Sequence, residues 1–164
     1  MTIRERIFSF FYGNGLVSLL RILTGAVFIA SGGSKIADPS SFADSIALYG
    51  IVPQMLIPYV AIVLPWVELF SGLLLAAGLR IRAAALLSFA MLCLFTAFIG
   101  WNVALGKSFE CGCVAGLDAG PFSRIGWPLL GRNAVLLALT VLVFRAKRHP
   151  FSIDYLLEKR GLRK

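Results

Sequence analysis

The chain has 164 residues, a formal net charge of +8 and an apolar fraction of 59%, with a mean hydropathy of +0.85. Soluble domains contain about 45–50% apolar residues, so this composition indicates a membrane protein, and the length suits one membrane domain, residues 1–164. The basic residues lie at the ends of apolar stretches and not among stacking aromatics, which argues against a nucleic-acid-binding protein.

The first residues combine an amphipathic pattern with a charged start. Residues 3–12 carry apolar and basic side chains at helical spacing, which predicts a short interfacial helix ended by Gly13-Asn14-Gly15. Arg4 and Arg6 before an apolar stretch are also typical of a signal peptide. However, Arg21 interrupts that stretch and three further apolar runs follow, so we interpret it as an uncleaved membrane helix.

Four apolar segments cover residues 16–34, 56–79, 81–104 and 127–144. Each is close to the ~20 residues that a helix needs to cross the hydrocarbon core. Because lipid offers no hydrogen-bond partners to the backbone, we expect these segments to be helices, which satisfy their backbone hydrogen bonds internally. The very short connection at residues 78–82 requires its two spans to run antiparallel. The predicted fold class is therefore all-α, an integral membrane four-helix bundle.

The distribution of Lys and Arg predicts the orientation, because cytoplasmic flanks collect these residues. One side has four of them, Lys35, Lys107, Arg124 and Arg132, whereas the other has twelve: Arg4, Arg6, Arg21, Arg80, Arg82, Arg145, Lys147, Arg148, Lys159, Arg160, Arg163 and Lys164. We expect both termini in the cytoplasm, with residues 145–164 as a basic tail near anionic lipid. In a bacterium this would be an inner-membrane protein whose other face meets the oxidising periplasm.

The outer connections carry further signals. Asp38-Pro39-Ser40-Ser41 is typical of a helix start and predicts a helix along the outer face through Tyr49, ended by Pro53. Two prolines of the second span, Pro58 and Pro65, are expected to bend it.

The long connection at residues 105–126 contains Cys111-Gly112-Cys113. A disulfide across one residue closes a small ring, which is expected to be strained and easily reduced, and Gly112 makes the tight closure sterically feasible. We therefore predict Cys111 and Cys113 to be catalytic residues of thiol–disulfide exchange. A structural disulfide, two free thiols, or a soft-metal site for Cu(I) or Hg(II) remain alternatives, whereas a closed tetrahedral zinc site does not fit.

Polar residues inside the spans form a second group of candidates. Glu68 lies near the middle of the second span, where an ionisable group must be paired, protonated or functional, and Arg132 and Lys35 are its candidate partners. We expect either a contact that stabilises the bundle or a proton or ligand site near a thiol or a quinone. Asn102 and Asn133 are expected to form interhelical hydrogen bonds.

Two residues are assigned ordinary structural roles. Trp101, at the outer end of the third span, is expected to be an interface anchor. Cys93 lies deep in the same span, too far from the loop to meet the other cysteines, and is interpreted as a small buried packing residue.

The ordered motifs resemble the MauE/DoxX family of redox-associated membrane proteins. They are Arg21-Ile22-Leu23-Thr24-Gly25, Ser34-Lys35-Ile36-Ala37-Asp38-Pro39, Pro65-Trp66-Val67-Glu68-Leu69 with Gly72, Leu75 and Gly78, and Arg132-Asn133. The Cys-Gly-Cys loop resembles the MauE branch, since many DoxX proteins lack it.

The resemblance implies a four-helix membrane protein that works with a periplasmic thioredoxin-like partner in the maturation of disulfide-containing proteins. A quinone is a candidate cofactor, because DoxX-like proteins are linked to quinone chemistry. Two other functions remain open: a non-catalytic membrane assembly partner of a redox enzyme, and a protein that binds or transports soft metals.

Overall fold

The computed structural model describes residues 15–106 and 126–146, and within them every regular element is helical. The predicted N-terminal interfacial helix, the Cys-Gly-Cys segment and the basic tail lie outside the described residues. We number the helices in chain order: α1 is Leu16–Ala37, α2 is Pro39–Tyr49, α3 is Ile57–Ala77, α4 is Ile81–Ala104 and α5 is Trp127–Arg145. A single 3-10 turn, Gln54–Leu56, leads into α3.

Four of these helices, α1, α3, α4 and α5, are long and apolar enough to cross a membrane. Their ends differ from the predicted spans by at most three residues. The predicted all-α architecture with four spans is therefore confirmed, whereas the cytoplasmic placement of the termini stays a prediction.

Helix α1 buries a polar and small-residue face while many of its larger apolar side chains point outward. The buried residues recur every three or four positions: Ser18, Arg21, Thr24, Gly25, Phe28, Ser31, Gly32 and Lys35. Because lipid solvates apolar side chains as well as a protein core does, a membrane helix can direct its polar stripe inward. Arg21, counted above among the flanking charges, is 1% exposed and belongs to this interior stripe.

Helices α1 and α3 approach each other closely at glycines. A Cβ atom added to Gly25 would lie 2.8 Å from the carbonyl oxygen of Gly72, and one on Gly72 would lie 2.8 Å from that of Gly25. A Cβ on Gly32 would meet the Leu69 amide nitrogen and the Pro65 carbonyl oxygen, each at 2.8 Å. These are backbone atoms that cannot move aside, so small residues allow this packing, as is common between membrane helices.

Two prolines and a tight turn shape α3. Pro58 lies in its first turn, where a missing N–H costs nothing, and Pro65 lies inside the helix, which continues through it. Gly78 (φ 74°) ends α3 in the left-handed conformation, and the Leu79 amide donates to the Leu74 carbonyl at 3.0 Å. The connection to α4 also holds Arg80 at a φ of 45°, a conformation that costs energy for any residue with a Cβ.

Helix α2, which was predicted to lie along the outer face, is present and begins as predicted, whereas its side of the membrane stays a prediction. Asp38 Oδ1 accepts hydrogen bonds from the Ser41 amide at 3.1 Å and the Ser40 hydroxyl at 2.7 Å, and these bonds lower the pKa of Asp38. The predicted end at Pro53 is wrong: α2 stops at Tyr49 because Gly50 turns into the left-handed region at φ 67°.

Two sets of buried contacts define the two ends of the bundle. At one end Leu20, Leu75, Ile81 and Val143 pack together, so α1 begins where α5 ends. At the other end, Ile99 of α4 and Leu129 of α5 are both fully buried and pack beside Tyr49 of α2. The segment 107–125 therefore joins two helices at the end of the bundle that α2 covers.

Candidate functional site

A buried ion pair lies between α1 and α3. Lys35, in the last turn of α1, places Nζ 2.6 Å from Oε2 of Glu68, and the two side chains are 3% and 7% exposed. The same ammonium donates to the Ser31 hydroxyl at 3.0 Å, one turn earlier on α1. Lys35 is therefore the partner of Glu68, and the contact is charge-assisted and almost completely shielded.

Aromatic rings surround the rest of the ammonium group. Nζ of Lys35 lies 5.1 Å from the ring centre of Phe42 on α2 and 5.2 Å from that of Phe95 on α4. Both distances are within the range of a cation–π interaction, which gains strength where water is excluded. Lys35 thus interacts with a carboxylate, a hydroxyl and two rings, and it connects four segments of the fold.

Arg132 of α5 borders the same space. Both it and Glu68 line one cavity of about 40 Å³, together with Lys35, Ser31 and Asn133, and the remaining lining is apolar: Val27, Phe28, Leu92, Phe95 and Leu136. No ion pair within 4.0 Å joins Arg132 to Glu68 in the described part of the chain. One cavity therefore holds all four predicted residues, Glu68, Arg132, Asn133 and Lys35. Lys35 forms an ion pair with Glu68, whereas Arg132 does not.

The two asparagines have different surroundings. Asn133 is 3% exposed, and its amide donates across to the Thr96 hydroxyl on α4 at 3.4 Å. Asn102 is fully buried but donates to the Phe98 carbonyl of its own helix, at 3.0 Å. Hence Asn133 makes the interhelical bond that was expected of it, whereas Asn102 does not line the cavity and bonds within α4.

Tyr49 lies where α2 meets α4 and α5. It is half-buried, and burial raises the pKa of its phenol to about 12, although the positive charge of Arg132 acts in the opposite direction. The phenol is therefore protonated across the physiological range.

The other candidates are placed as follows. Cys93 is exposed on the surface of α4, so its assignment as a buried packing residue is wrong. Trp101 is 61% exposed near the end of α4, where aromatic residues meet the headgroups. Cys111 and Cys113 lie outside the described residues, and in the described part no group of three or more His, Cys, Asp or Glu residues could hold a metal ion.

Comparison with known proteins identifies the family of this chain. The family model described as "Methylamine utilisation protein MauE" matches residues 13–146. The chain belongs to the MauE family. It is 30% identical to methylamine utilization protein MauE of Paracoccus denitrificans over 125 residues, and 33% identical to that of Methylophilus methylotrophus over 107 residues.

These MauE matches cover 76% and 64% of this chain but only 66% and 55% of the two relatives. The chain thus spans about two thirds of the length of the Paracoccus denitrificans relative and less than two thirds of that of the Methylophilus methylotrophus relative. No solved structure matches it. The MauE match includes the whole cavity and the Cys-Gly-Cys segment, as the resemblance in the sequence predicted.

Sequence reasoning missed several residues that complete the site. Ser31 bonds Lys35, and Phe42 and Phe95 lie against it, yet none was selected as a candidate. Ser31 could have been found, because it lies one helical turn before Lys35 on the polar stripe of α1. The two rings carry no such signal, since Phe is an ordinary apolar residue both in the short helix α2 and in the span α4.

Proposed function

We propose that this MauE-family protein is a membrane component of thiol–disulfide exchange, in which Cys111 and Cys113 react with a thioredoxin-fold partner. Among the described residues, the observation that supports this best is the buried contact of Ile99 with Leu129 beside Tyr49. It anchors both ends of segment 107–125 at one end of a four-span bundle. A reactive pair carried by that segment would be held close to a membrane surface, within reach of a soluble partner.

The exchange balances without any further reagent. A thiolate of the partner attacks one sulfur of the Cys111–Cys113 disulfide, the S–S bond breaks, and a mixed disulfide forms. The second partner thiolate then attacks the mixed disulfide, so that the partner becomes oxidised and this chain holds two thiols. Two electrons and two protons move in total. The reverse sequence reduces the partner, and the two reduction potentials decide the direction.

Before the cysteine pair can react again, it must pass its electrons to an acceptor or take electrons from a donor. A quinone is our candidate for this second reactant. The central cavity is too small for it, since about 40 Å³ is well below the roughly 150 Å³ of a cavity that takes up benzene. In this proposal a quinone ring binds elsewhere on the protein, and Glu68 and Lys35 handle protons instead of contacting it.

The distribution of Lys and Arg and the membership of the MauE family support a cellular location and a pathway for this proposal. The excess of Lys and Arg on one side supports cytoplasmic termini and an outward-facing cysteine pair, in a bacterial inner membrane. Both relatives are named for methylamine utilisation, and maturation of a disulfide-containing protein of that pathway is the setting we propose. Expression of this chain in a Paracoccus denitrificans strain that lacks its own MauE, with growth on methylamine as the readout, tests this part.

Trapping of a mixed disulfide tests the chemistry. In a Cys93→Ser background, Cys111→Ser or Cys113→Ser leaves one loop thiol that cannot be released by its neighbour. After acid quenching, at least one single variant should show an adduct that disappears on reduction. The variant with both loop cysteines replaced is the matched control. Absence of an adduct with either single variant, or its persistence in the control, would contradict the proposal.

The same double variant separates the alternative functions. A pure assembly partner would keep its redox enzyme active without the loop cysteines, whereas an exchange component would not. Stoichiometric uptake of Cu(I) or Hg(II) by the reduced pair, with no adduct in cells, would instead indicate a soft-metal protein.

A further inference from the structure

The membrane-spanning helices contain more positive than negative charge around the central cavity. Glu68 is the only carboxylate in α1, α3, α4 and α5, whereas Lys35 and Arg132 both line the cavity with it. With each group in its ordinary ionised form, the described lining of the cavity carries one more positive than negative charge. An unpaired charge in a low-dielectric interior is costly, so this excess requires an explanation.

The Lys35–Glu68 pair is complete without Arg132. The ammonium has a carboxylate oxygen at 2.6 Å, a hydroxyl at 3.0 Å and two aromatic rings within 5.2 Å. Its charge and that of Glu68 cancel within one contact. The excess charge is therefore located on the other cation of the cavity.

Arg132, in contrast to Lys35, has no ion-pair partner among the described residues. Its Nε is shielded from solvent and has no hydrogen-bond partner among the described residues, and no carboxylate of that part lies within ion-pair distance. Guanidinium groups at buried sites normally bind carboxylate-like or other anionic groups through several N–H donors. Within the described residues, Arg132 therefore presents an unused Nε donor and a positive charge without a paired carboxylate at the edge of the cavity.

We propose that this cavity binds a small monovalent anion, held by Arg132 and balanced against the neutral Lys35–Glu68 pair. One negative charge makes the cavity neutral. A volume of about 40 Å³ has room for a halide, whereas a divalent oxyanion such as sulfate would leave the cavity with a net negative charge. The apolar remainder of the lining also favours a weakly hydrated monovalent ion over a strongly hydrated divalent one.

Anion-dependent thermal unfolding tests this site. The full chain, with Cys111 and Cys113 replaced by Ser so that the result is independent of thiol chemistry, is purified in detergent without halide. Chloride or bromide is then titrated against gluconate at constant ionic strength. We expect a saturable rise in Tm, roughly 5–10 °C when the halide reaches about 100 times its Kd. Sulfate should give no saturable rise, although its general salting effect remains.

Three variants locate the binding. Arg132→Gln should abolish the halide-dependent shift. Replacement of both pair members, Lys35→Met with Glu68→Gln, leaves the cavity charge unchanged and should retain it. Arg82→Gln removes an exposed arginine at the start of α4 and is the matched control that should also retain it.

A further substitution keeps the proposal testable if Arg132→Gln does not fold. Lys35→Met alone leaves Glu68 as the counterion of Arg132, so the halide effect should disappear. An unchanged halide shift in Arg132→Gln or Lys35→Met, an equal saturable shift with sulfate, or the absence of any shift in the parent protein would overturn the proposal.

Discussion

Nζ of Lys35 lies 2.6 Å from Oε2 of Glu68, although 33 residues separate them in the chain, and this contact joins the last turn of α1 to the middle of α3. Both side chains are less than a tenth exposed. The pair therefore holds α1 against α3 at a depth where water cannot replace either partner.

Loss of the Glu68 carboxylate should destabilise the fold strongly. Glu68→Ala leaves the Lys35 ammonium buried without its carboxylate, which costs roughly 3–5 kcal/mol of unfolding free energy when a buried pair is broken. Lys35→Met combined with Glu68→Leu should recover much of that loss, because neither charge then remains. Reversible unfolding in mixed micelles measures both. Equal destabilisation by the single and the double variant would show that the ion pair is not the cause.

The close approach of α1 and α3 predicts opposite outcomes for two adjacent glycines. Gly32→Ala places a Cβ 2.8 Å from backbone atoms of α3, so the helices must separate, at a cost of roughly 1–3 kcal/mol. Gly33→Ala meets no heavy atom within 4 Å and should be neutral, or stabilise by up to about 1 kcal/mol through helix propensity. Denaturant unfolding of both variants checks the contrast. Similar losses at both positions would contradict the packing described here.

The turn between α3 and α4 gives a second paired prediction. Arg80 has a φ of 45°, so Arg80→Gly relieves an unfavourable backbone conformation and should leave stability unchanged or raise it by about 1 kcal/mol. Arg82→Gly lies in the first turn of α4 and should lower stability by about 0.5–1 kcal/mol. Thermal unfolding separates the two. A loss at Arg80 as large as that at Arg82 would argue against the left-handed turn.

The start of α2 should depend on pH through Asp38. Because hydrogen bonds from Ser41 and Ser40 lower the pKa of this carboxyl, the ionised form stabilises the helix start. That contribution is present above the ordinary pKa of about 4 and is lost as the pH falls through the lowered value. Hydrogen exchange of the Ser41 amide, corrected for its intrinsic rate, should be several-fold faster in Asp38→Ala at pH 6. Asp38→Asn should keep most of the protection.

At pH values below the lowered pKa, the protonated carboxyl resembles an uncharged amide, so wild type should exchange like Asp38→Asn. If wild type and Asp38→Asn already exchange alike at pH 6, the charge of Asp38 contributes nothing to the cap.

The sequence predicted the spans well because hydrophobic length is a local property, and residues 81–104 were correct at both ends. It named Lys35 and Arg132 as partners of Glu68 but could not choose between them, because the choice depends on the rotation and depth of three helices. The helix 3–12, the cysteine segment and the tail lie outside the described residues, and those predictions stay open.

Two errors have a common physical cause. Cys93 was placed in the interior and Arg21 at a flank, whereas the structure exposes the first and buries the second. In lipid an apolar side chain gains nothing by facing inward, so hydrophobicity does not reveal which face of a span is buried. The polar stripe of α1 does reveal it, since Ser18, Arg21, Thr24, Ser31 and Lys35 all recur at helical spacing and all face the bundle.

The separation of Lys35 and Glu68 along the chain also has a consequence during biosynthesis. At a translation rate of about 5–20 residues per second, Lys35 emerges from the ribosome some seconds before its carboxylate partner has been made. In that interval the first span must enter the bilayer with its ammonium directed to the lipid headgroups, as a lysine near a helix end can do. The later arrival of α3, the second span, then draws this charge inward, so α1 and α3 close against each other only after the second span has been inserted.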